Sequence, residues 1–458
     1  MTFTMITAPA TITDSPLAAP SIIKSILSQK YKYSFVDLNA EFNKNLSAKQ
    51  TKSVNDYLLY GNFRAGTASA VSDYIDQCVS RVIRTNPDWV GISLFSYQCQ
   101  RFVELFVKQL KRMSPEINIL IGGPGIYENG IEGDRNIGEV LYNQGAIDLY
   151  IVGEAETQLL EKLESKEISN TWKQEIDINV DVFPDFTDYN FELFNKRAIP
   201  ITGSRGCVRK CTFCDIHTHW KKFVYRSGEN IFAEMQHQHQ LHSITHFNFT
   251  DSLANGSMQA YRNMITALSE YNATAKKPFS WQSQFIARSE RQMTANDWKL
   301  TKQSGAKLLS IGVENLNENI RDHMQKKFSN EDLLFVLKQA KENNIKLMFL
   351  MICGYVTETE QDHKNQIKLF SELTEYKDIL EISLGTTLGI LPGTPLHRDH
   401  KKYNVVLGDT ETNWINTETG STFEQRLKWR TELEEKLLEF GFNLNKNNEQ
   451  HLLLESWQ

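Results

Sequence analysis

The chain reads as an α/β protein, with a Rossmann-like parallel sheet first and a partial (β/α)6 barrel after it. Three observations predict this. Short apolar runs alternate with helical stretches over most of the 458 residues, as expected of parallel strands joined by helical crossovers. Small and polar residues punctuate the ends of those runs, where ligands sit in such folds. The length suits two or three domains with sizeable cores.

Residues 1–165 carry strand patterns at Thr2 to Thr7, Tyr33 to Leu38, Trp89 to Phe95, Ile117 to Ile121 and Asp148 to Val152. Helical patterns cover Leu17 to Lys30, Thr67 to Thr85, Gln100 to Met113 and Ile137 to Gln144, and Glu154 to Leu163 follows the last strand. Residues that permit close backbone approach fall at the strand ends: Ser93 and Ser96, Gly122-Gly123-Pro124-Gly125, and Gly153-Glu154. None forms a G-x-G-x-x-G fingerprint, so a dinucleotide reading is weak. Residues 166–196 read as a linker, with Val182-Phe183-Pro184-Asp185-Phe186 packing along it.

Residues 197–398 repeat the alternation in larger units. Strands fit Ala198 to Gly203, Thr245 to Thr250, Ser280 to Ile286, Lys307 to Val313, Ile345 to Ile352 and Ile379 to Thr386. Helices fit Glu229 to Leu241, Met258 to Tyr271, Thr294 to Gln303, Asn330 to Asn343 and Glu358 to Leu373. Six strands with five helices between them suggest the partial barrel, with its chemistry at the C-terminal strand ends. Residues 399–458 form a C-terminal extension with an amphipathic helix from Glu424 to Phe440, and Trp414 and Trp429 suggest docking on the barrel mouth.

A hydrophobic content of 40% and a charged content of 23% are ordinary for a globular protein. The net charge of -6 argues against broad affinity for nucleic acid. Met1 to Pro16 holds no Lys or Arg, so no charged signal-peptide start is expected. No apolar run approaches a membrane span. Six cysteines in this length do not make a disulfide framework. The expected location is a reduced cytoplasm.

Three of those cysteines stand in one stretch, Ser204-Arg205-Gly206-Cys207-Val208-Arg209-Lys210-Cys211-Thr212-Phe213-Cys214. Their C-x3-C-x2-C spacing supplies three thiolates, one fewer than a fully ligated Fe4S4 cluster takes. A structural zinc site also needs a fourth ligand, for which His217 or His219 lies near. The alternative zinc reading is a non-catalytic scaffold.

The cysteine spacing, with an aromatic before the last cysteine, resembles the radical S-adenosylmethionine (SAM) superfamily. That resemblance implies a [4Fe-4S] cluster on Cys207, Cys211 and Cys214, whose open iron binds SAM. Further phrases are similar to that family. Phe213 corresponds to its aromatic near the adenine, and Asp251, in Thr250-Asp251-Ser252, to an acceptor for the SAM ammonium. Gln282, Gln284 and Arg288 resemble positions contacting SAM or substrate. Ile311-Gly312-Val313-Glu314-Asn315, with Met324-Gln325-Lys326, looks like the phrase whose glutamate bonds SAM. Met351-Ile352-Cys353-Gly354-Tyr355-Val356-Thr357-Glu358-Thr359 matches the strand under the adenine, with Ile352 in contact and Thr357 or Thr359 as N-cap. Leu391-Pro392-Gly393-Thr394-Pro395-Leu396 resembles the turn that closes the barrel.

The first domain resembles the cobalamin-binding domain that precedes many radical SAM domains. The matching phrases run through Ser93, Gly122, Gly123, Gly153 and Glu154. The D-x-H-x-x-G motif that gives a histidine to cobalt is absent; the corresponding loop reads Asp37-Leu38-Asn39-Ala40-Glu41-Phe42. The resemblance implies a radical SAM enzyme, with cobalamin-dependent methylation of an unactivated carbon as the leading expectation. Cyclisation, oxidation or rearrangement beneath a degenerate cobalamin domain is the alternative. The expected partners are a small-molecule or peptide substrate and an electron donor such as flavodoxin or ferredoxin, with no membrane. His237, His239, His242 and His246 lack matching cysteine or carboxylate partners and read as a solvated helix face.

Overall fold

A computed structural model describes residues 1–9, 15–42, 48–61, 67–127, 135–169 and 178–445. The chain divides into two compact units, residues 1–200 with 237–244, and residues 201–236 with 245–458.

The first unit is built on five parallel strands: β1 (Thr2–Thr7), β2 (Lys32–Val36), β3 (Trp89–Ser93), β4 (Asn118–Gly122) and β5 (Leu149–Ile151). Their order is β2-β1-β3-β4-β5, with register Met5↔Phe35, Ile6↔Ile92 and Ile92↔Ile121. Alternate side chains feed two cores. Ile6, Val90, Ile92, Ile119 and Ile121 serve one, while Phe3, Met5, Trp89 and Leu120 serve the other. A strand buried on both faces is therefore apolar throughout, which is why Trp89–Ser93 shows no polar alternation. Helix Gln100–Met113 buries Phe102, Val103, Phe106, Val107 and Leu110, an i, i+3, i+4 stripe. The strand order reverses between β1 and β3, which places the ligand crevice of such a sheet at their C-terminal ends. The sequence pattern assigns nothing between Leu38 and Thr67, yet a helix runs Ala48–Tyr60. Among its described residues the fully buried apolar positions are Val54 and Leu58, too few to produce a visible stripe.

The second unit carries a seven-stranded sheet: β6 (Ile199–Ile201), β7 (His246–Phe249), β8 (Ser280–Phe285), β9 (Ala306–Glu314), β10 (Lys346–Cys353), β11 (Leu380–Thr387) and β12 (Asn443–Leu444). The order is sequential from β6 to β12, and neighbouring strands pair in parallel from β7 to β12. Three connecting helices start with capping boxes, Thr294 with Asp297, Ser329 with Asp332 and Thr359 with Asp362. Each of these boxes satisfies two N-terminal backbone donors at once.

β12 is additional to the six expected strands. It follows helix Phe423–Glu439 and pairs Asn443 and Leu444 with Glu381 and Ile382. Two residues are too short a run for sequence periodicity to register. Trp414 is wholly buried, donating from Nε1 to Leu388 O at 2.8 Å, with the Arg426 guanidinium 3.5 Å from its ring centroid. Trp429 stacks on His363 and donates to Glu360 Oε2 at 2.7 Å. Among the described residues, no helix is long and apolar enough to cross a membrane.

Candidate functional site

The cysteine loop begins where β6 ends. Ser204 and Arg205 pair antiparallel with Tyr225 and Val224, and Ser204 Oγ donates to Leu253 O at 3.1 Å. Arg226, buried in an ion pair with Glu234, donates from Nη1 to Thr202 O at 3.0 Å. Asp251 is only 4% exposed, and its Oδ1 accepts the Gly203 N–H at 2.7 Å. Burial raises its carboxyl to about 7 against these bonds. Asp251 thus ties β7 to the start of the cysteine loop, and the helix that follows is capped by Ser257 instead.

Within the loop, Cys207 and Cys214 are half-buried and Cys211 is 7% exposed. Cys207 Sγ accepts the Arg209 N–H at 3.4 Å, and Cys214 N–H donates to Cys211 O at 3.2 Å. Burial pushes the Cys214 thiol up to about 12 and also raises Cys211, where Lys326 pulls the other way. His217 is committed elsewhere, with Nε2 2.6 Å from Arg209 O. His219 is buried and packs its ring edge-on to Trp220. Among the described residues, no three His, Cys, Asp or Glu side chains gather closely enough for one metal ion.

Lys326 approaches the loop from beyond β9. Its Nζ lies 2.9 Å from Glu314 Oε1, with the two side chains 12% and 11% exposed, and 5.9 Å from the Phe213 ring centroid. Burial presses the ammonium down, but Glu314 and Cys211 more than offset this, holding its pKa above the ordinary lysine value. The sequence makes room for the pair. A Cβ at Gly312 would stand 2.4 Å from Glu314 Oε1 and 3.0 Å from Lys326 Nζ. The β9–β10 ladder shifts register between Gly312 and Glu314, where Glu314 takes φ +65°, the geometry of a bulge that re-aims a side chain.

Several other expected site residues share this unit. Phe213 and Ile352 pack on one apolar cluster with Tyr355, Val356, Leu388 and Leu396. Gln282 is half-buried and Gln284 exposed on β8, while Arg288 bonds Asn255 O at 2.7 Å and Gly256 O at 2.9 Å. Cys353 is buried in β10 and pushed up to about 12 by that burial. Thr359 is the N-cap, whereas Thr357 Oγ1 is buried without a partner. Glu358 accepts the N–H groups of Gly354 and Tyr355 at 3.0 and 2.9 Å, and burial lifts it to about 7. No sequence motif marks Thr212 or His323, although Thr212 stands between two cysteines, where its hydroxyl needs a partner.

In the first unit, Ser93, Gly122, Gly123, Gly153 and Glu154 lie at the C-terminal ends of β3, β4 and β5. Ser93 and Glu154 are buried, and the three glycines half-buried. Gly123 takes φ +115°, with its would-be Cβ 2.5 Å from Leu94 O, so only glycine fits. At the loop after β2, Asp37 Oδ1 accepts Thr7 Oγ1 at 2.6 Å and Ala40 N–H at 2.9 Å.

Residues 201–370 match the family model of the radical SAM superfamily. Among curated proteins, the chain is 24% identical over 224 residues to the bacteriochlorophyllide d C-12(1)-methyltransferase of Chlorobaculum tepidum, covering 47% of this chain and 46% of that protein. It is 23% identical over 166 residues to the anaerobic magnesium-protoporphyrin IX monomethyl ester cyclase of Synechocystis sp., covering 36% of this chain and 32% of that protein. The chain thus spans less than half the length of either. Among solved structures, the radical SAM methyltransferase TsrM from Kitasatospora setae, with cobalamin and a [4Fe-4S] cluster bound, superposes with TM-score 0.61 at 14% identity over 97% of this chain and 87% of that one. The cobalamin-dependent SAM radical enzyme OxsB, with aqua-cobalamin and SAM bound, gives TM-score 0.64 at 15% identity over 95% and 66%. At these identities the likeness shows the fold alone, a parallel sheet followed by a partial parallel barrel.

Proposed function

We propose that this chain, whose residues 201–370 match the radical SAM family, is an enzyme that cleaves SAM at a [4Fe-4S] cluster held by Cys207, Cys211 and Cys214. The observation that carries the reading is the three-thiol loop with the Lys326 ammonium beside it. Three cysteine thiolates suit a cluster with one open iron. Held there, such a cluster would supply the single electron, drawn from a flavodoxin- or ferredoxin-type donor, for reductive cleavage of SAM to methionine and a 5′-deoxyadenosyl radical able to take a hydrogen atom from a substrate carbon.

The chain's own residues prepare this step. Lys326 offsets the negative charge gathered by three thiolates, and Glu314 fixes the ammonium. Phe213 and Ile352 offer an apolar face for a nucleobase. Asp251 holds the loop start, so its reading as an acceptor for the SAM ammonium requires the Gly203 bond to be shared or exchanged. Gln284, exposed at the end of β8, and Glu314 would complete the polar contacts.

We further propose that the first unit holds cobalamin against Ser93, Gly122, Gly123, Gly153 and Glu154, and that the enzyme methylates an unactivated carbon. Bound cobalamin would carry the methyl group. The fold and the methyltransferase relatives support this. The second reading keeps the radical without methyl transfer. It is favoured by the loop at Asp37-Leu38-Asn39, which offers no histidine. Anaerobic iron–sulfur reconstitution and a dithionite-driven SAM cleavage assay, with and without cobalamin, test both. 5′-Deoxyadenosine with retained corrin absorbance supports methylation, and 5′-deoxyadenosine without corrin uptake supports the second reading. Stoichiometric zinc without SAM cleavage overturns both.

A further inference from the structure

Thr212, flanked by Cys211 and Phe213, is fastened by all three of its polar groups, each to a different segment. Its N–H donates to Met324 O at 3.2 Å, beyond helix Glu318–His323. Its carbonyl accepts the Leu396 N–H at 2.8 Å, from the turn after β11. Its hydroxyl lies 2.7 Å from the Tyr355 hydroxyl, from the turn after β10. The Tyr355 hydroxyl also lies 3.2 Å from His323 Nδ1. Thr212 is 2% exposed and Tyr355 fully buried, so water does not compete for these bonds. Tyr355 is itself fixed, because Glu358 Oε2 accepts its N–H at 2.9 Å.

We propose that Tyr355 is a positioning residue for the cysteine loop, acting through Thr212 and steadied by His323. The inference rests on the functional reading above and adds to it. A tyrosine hydroxyl has one proton to donate and accepts as well, so it bridges threonine and imidazole in one chain. Fixing Thr212 fixes the backbone on both sides: it holds Cys211 in its buried position and keeps the Phe213 ring on the apolar cluster beside Lys326. A phenylalanine at 355 would fill the same space, leave the Thr212 hydroxyl buried and unpaired, and free the loop to shift.

The test uses the full-length chain, before and after cluster reconstitution. Tyr355→Phe and Thr212→Val each remove one side of the bond, and Thr212→Ser keeps the hydroxyl. In the cluster-free chain, alkylation of Cys211 is followed by mass spectrometry, with Cys353, buried in β10 of the same unit, as the folding control. In the reconstituted chain, iron release to a chelator and the electron paramagnetic resonance spectrum of the reduced cluster are followed. Tyr355→Phe and Thr212→Val are expected to speed Cys211 alkylation and iron release by roughly 10-fold, the lower end of what losing a supporting partner costs a metal site. Both should alter the spectrum, and Thr212→Ser should match wild type. If both variants match wild type in alkylation and iron release, the positioning role is overturned. A wild-type chain that takes up no cluster overturns the functional reading instead, while the alkylation result still decides the role of Tyr355.

Discussion

The strand-end loops of the first unit and the cysteine loop of the second both follow strand ends, and they are built from different material. The first unit uses backbone. Gly122, Gly123 and Gly153 lie half-buried at the strand ends, and Gly123 adopts a conformation closed to other residues. The second unit uses side chains: three cysteines, a buried ion pair, and a threonine tied by three bonds. A backbone-built loop suits a broad ligand and is damaged by added bulk. A loop built from side chains suits concentrated charge and is damaged by loss of a partner. Substitutions of the two kinds should therefore fail differently.

The largest effect is expected from Cys211→Ala, which should abolish cluster-dependent SAM cleavage by more than the roughly 100-fold cost of losing a supporting group, while the folded content by circular dichroism stays intact. Next is Lys326→Met, which strands Glu314 and should cost about 3 kcal/mol in urea unfolding. Adding Glu314→Leu should recover much of that loss, as replacing both members of a buried pair commonly does. In the first unit, Gly123→Ala forces a side chain into a left-handed conformation against Leu94 O and should cost about 1–3 kcal/mol, reducing corrin uptake and leaving SAM cleavage unchanged. Such a strain confined to one unit would confirm the contrast, and loss of SAM cleavage would break it.

The most gradual effect is a pH slope. Burial lifts Asp251 and Glu358 from ordinary carboxyl values of 3.8 and 4.5 to about 7. Below about pH 3 both groups are largely protonated in folded and unfolded chains alike. As pH climbs toward about 7 the unfolded chain ionises first, so stability falls across that window, by at most about 1.4 kcal/mol per pH unit for each group. Asp251→Asn should flatten the slope in unfolding titrations between pH 5 and pH 7.

The sequence made the periodic parts of the fold legible. Thr2–Thr7 and Gln100–Met113 match their expected limits to the residue, because a run of threonine and large apolar residues and a strong helical stripe are both distinct local patterns. Helix Ala48–Tyr60 and strand Asn443–Leu444 escaped, one for want of a stripe and the other for want of length. The cysteines announced themselves by spacing, but the bonds at Thr212 and Asp251 did not. Tyr355 is 143 residues from Thr212, and Gly203 is 48 from Asp251; no local pattern records which distant hydroxyl or amide a side chain meets. Thr357, with Glu360 three residues on, and Thr359, with Asp362 three residues on, offered equal capping chemistry, and the helix starts at Glu360 with Thr359 as its cap.

The most direct measurement of the central claim is the electron paramagnetic resonance spectrum of the reduced, reconstituted chain with and without SAM. A cluster on Cys207, Cys211 and Cys214 with one open iron predicts a reduced [4Fe-4S] signal whose shape changes on SAM addition and which is lost in Cys211→Ala. A signal that ignores SAM, or survives the loss of Cys211, would contradict it.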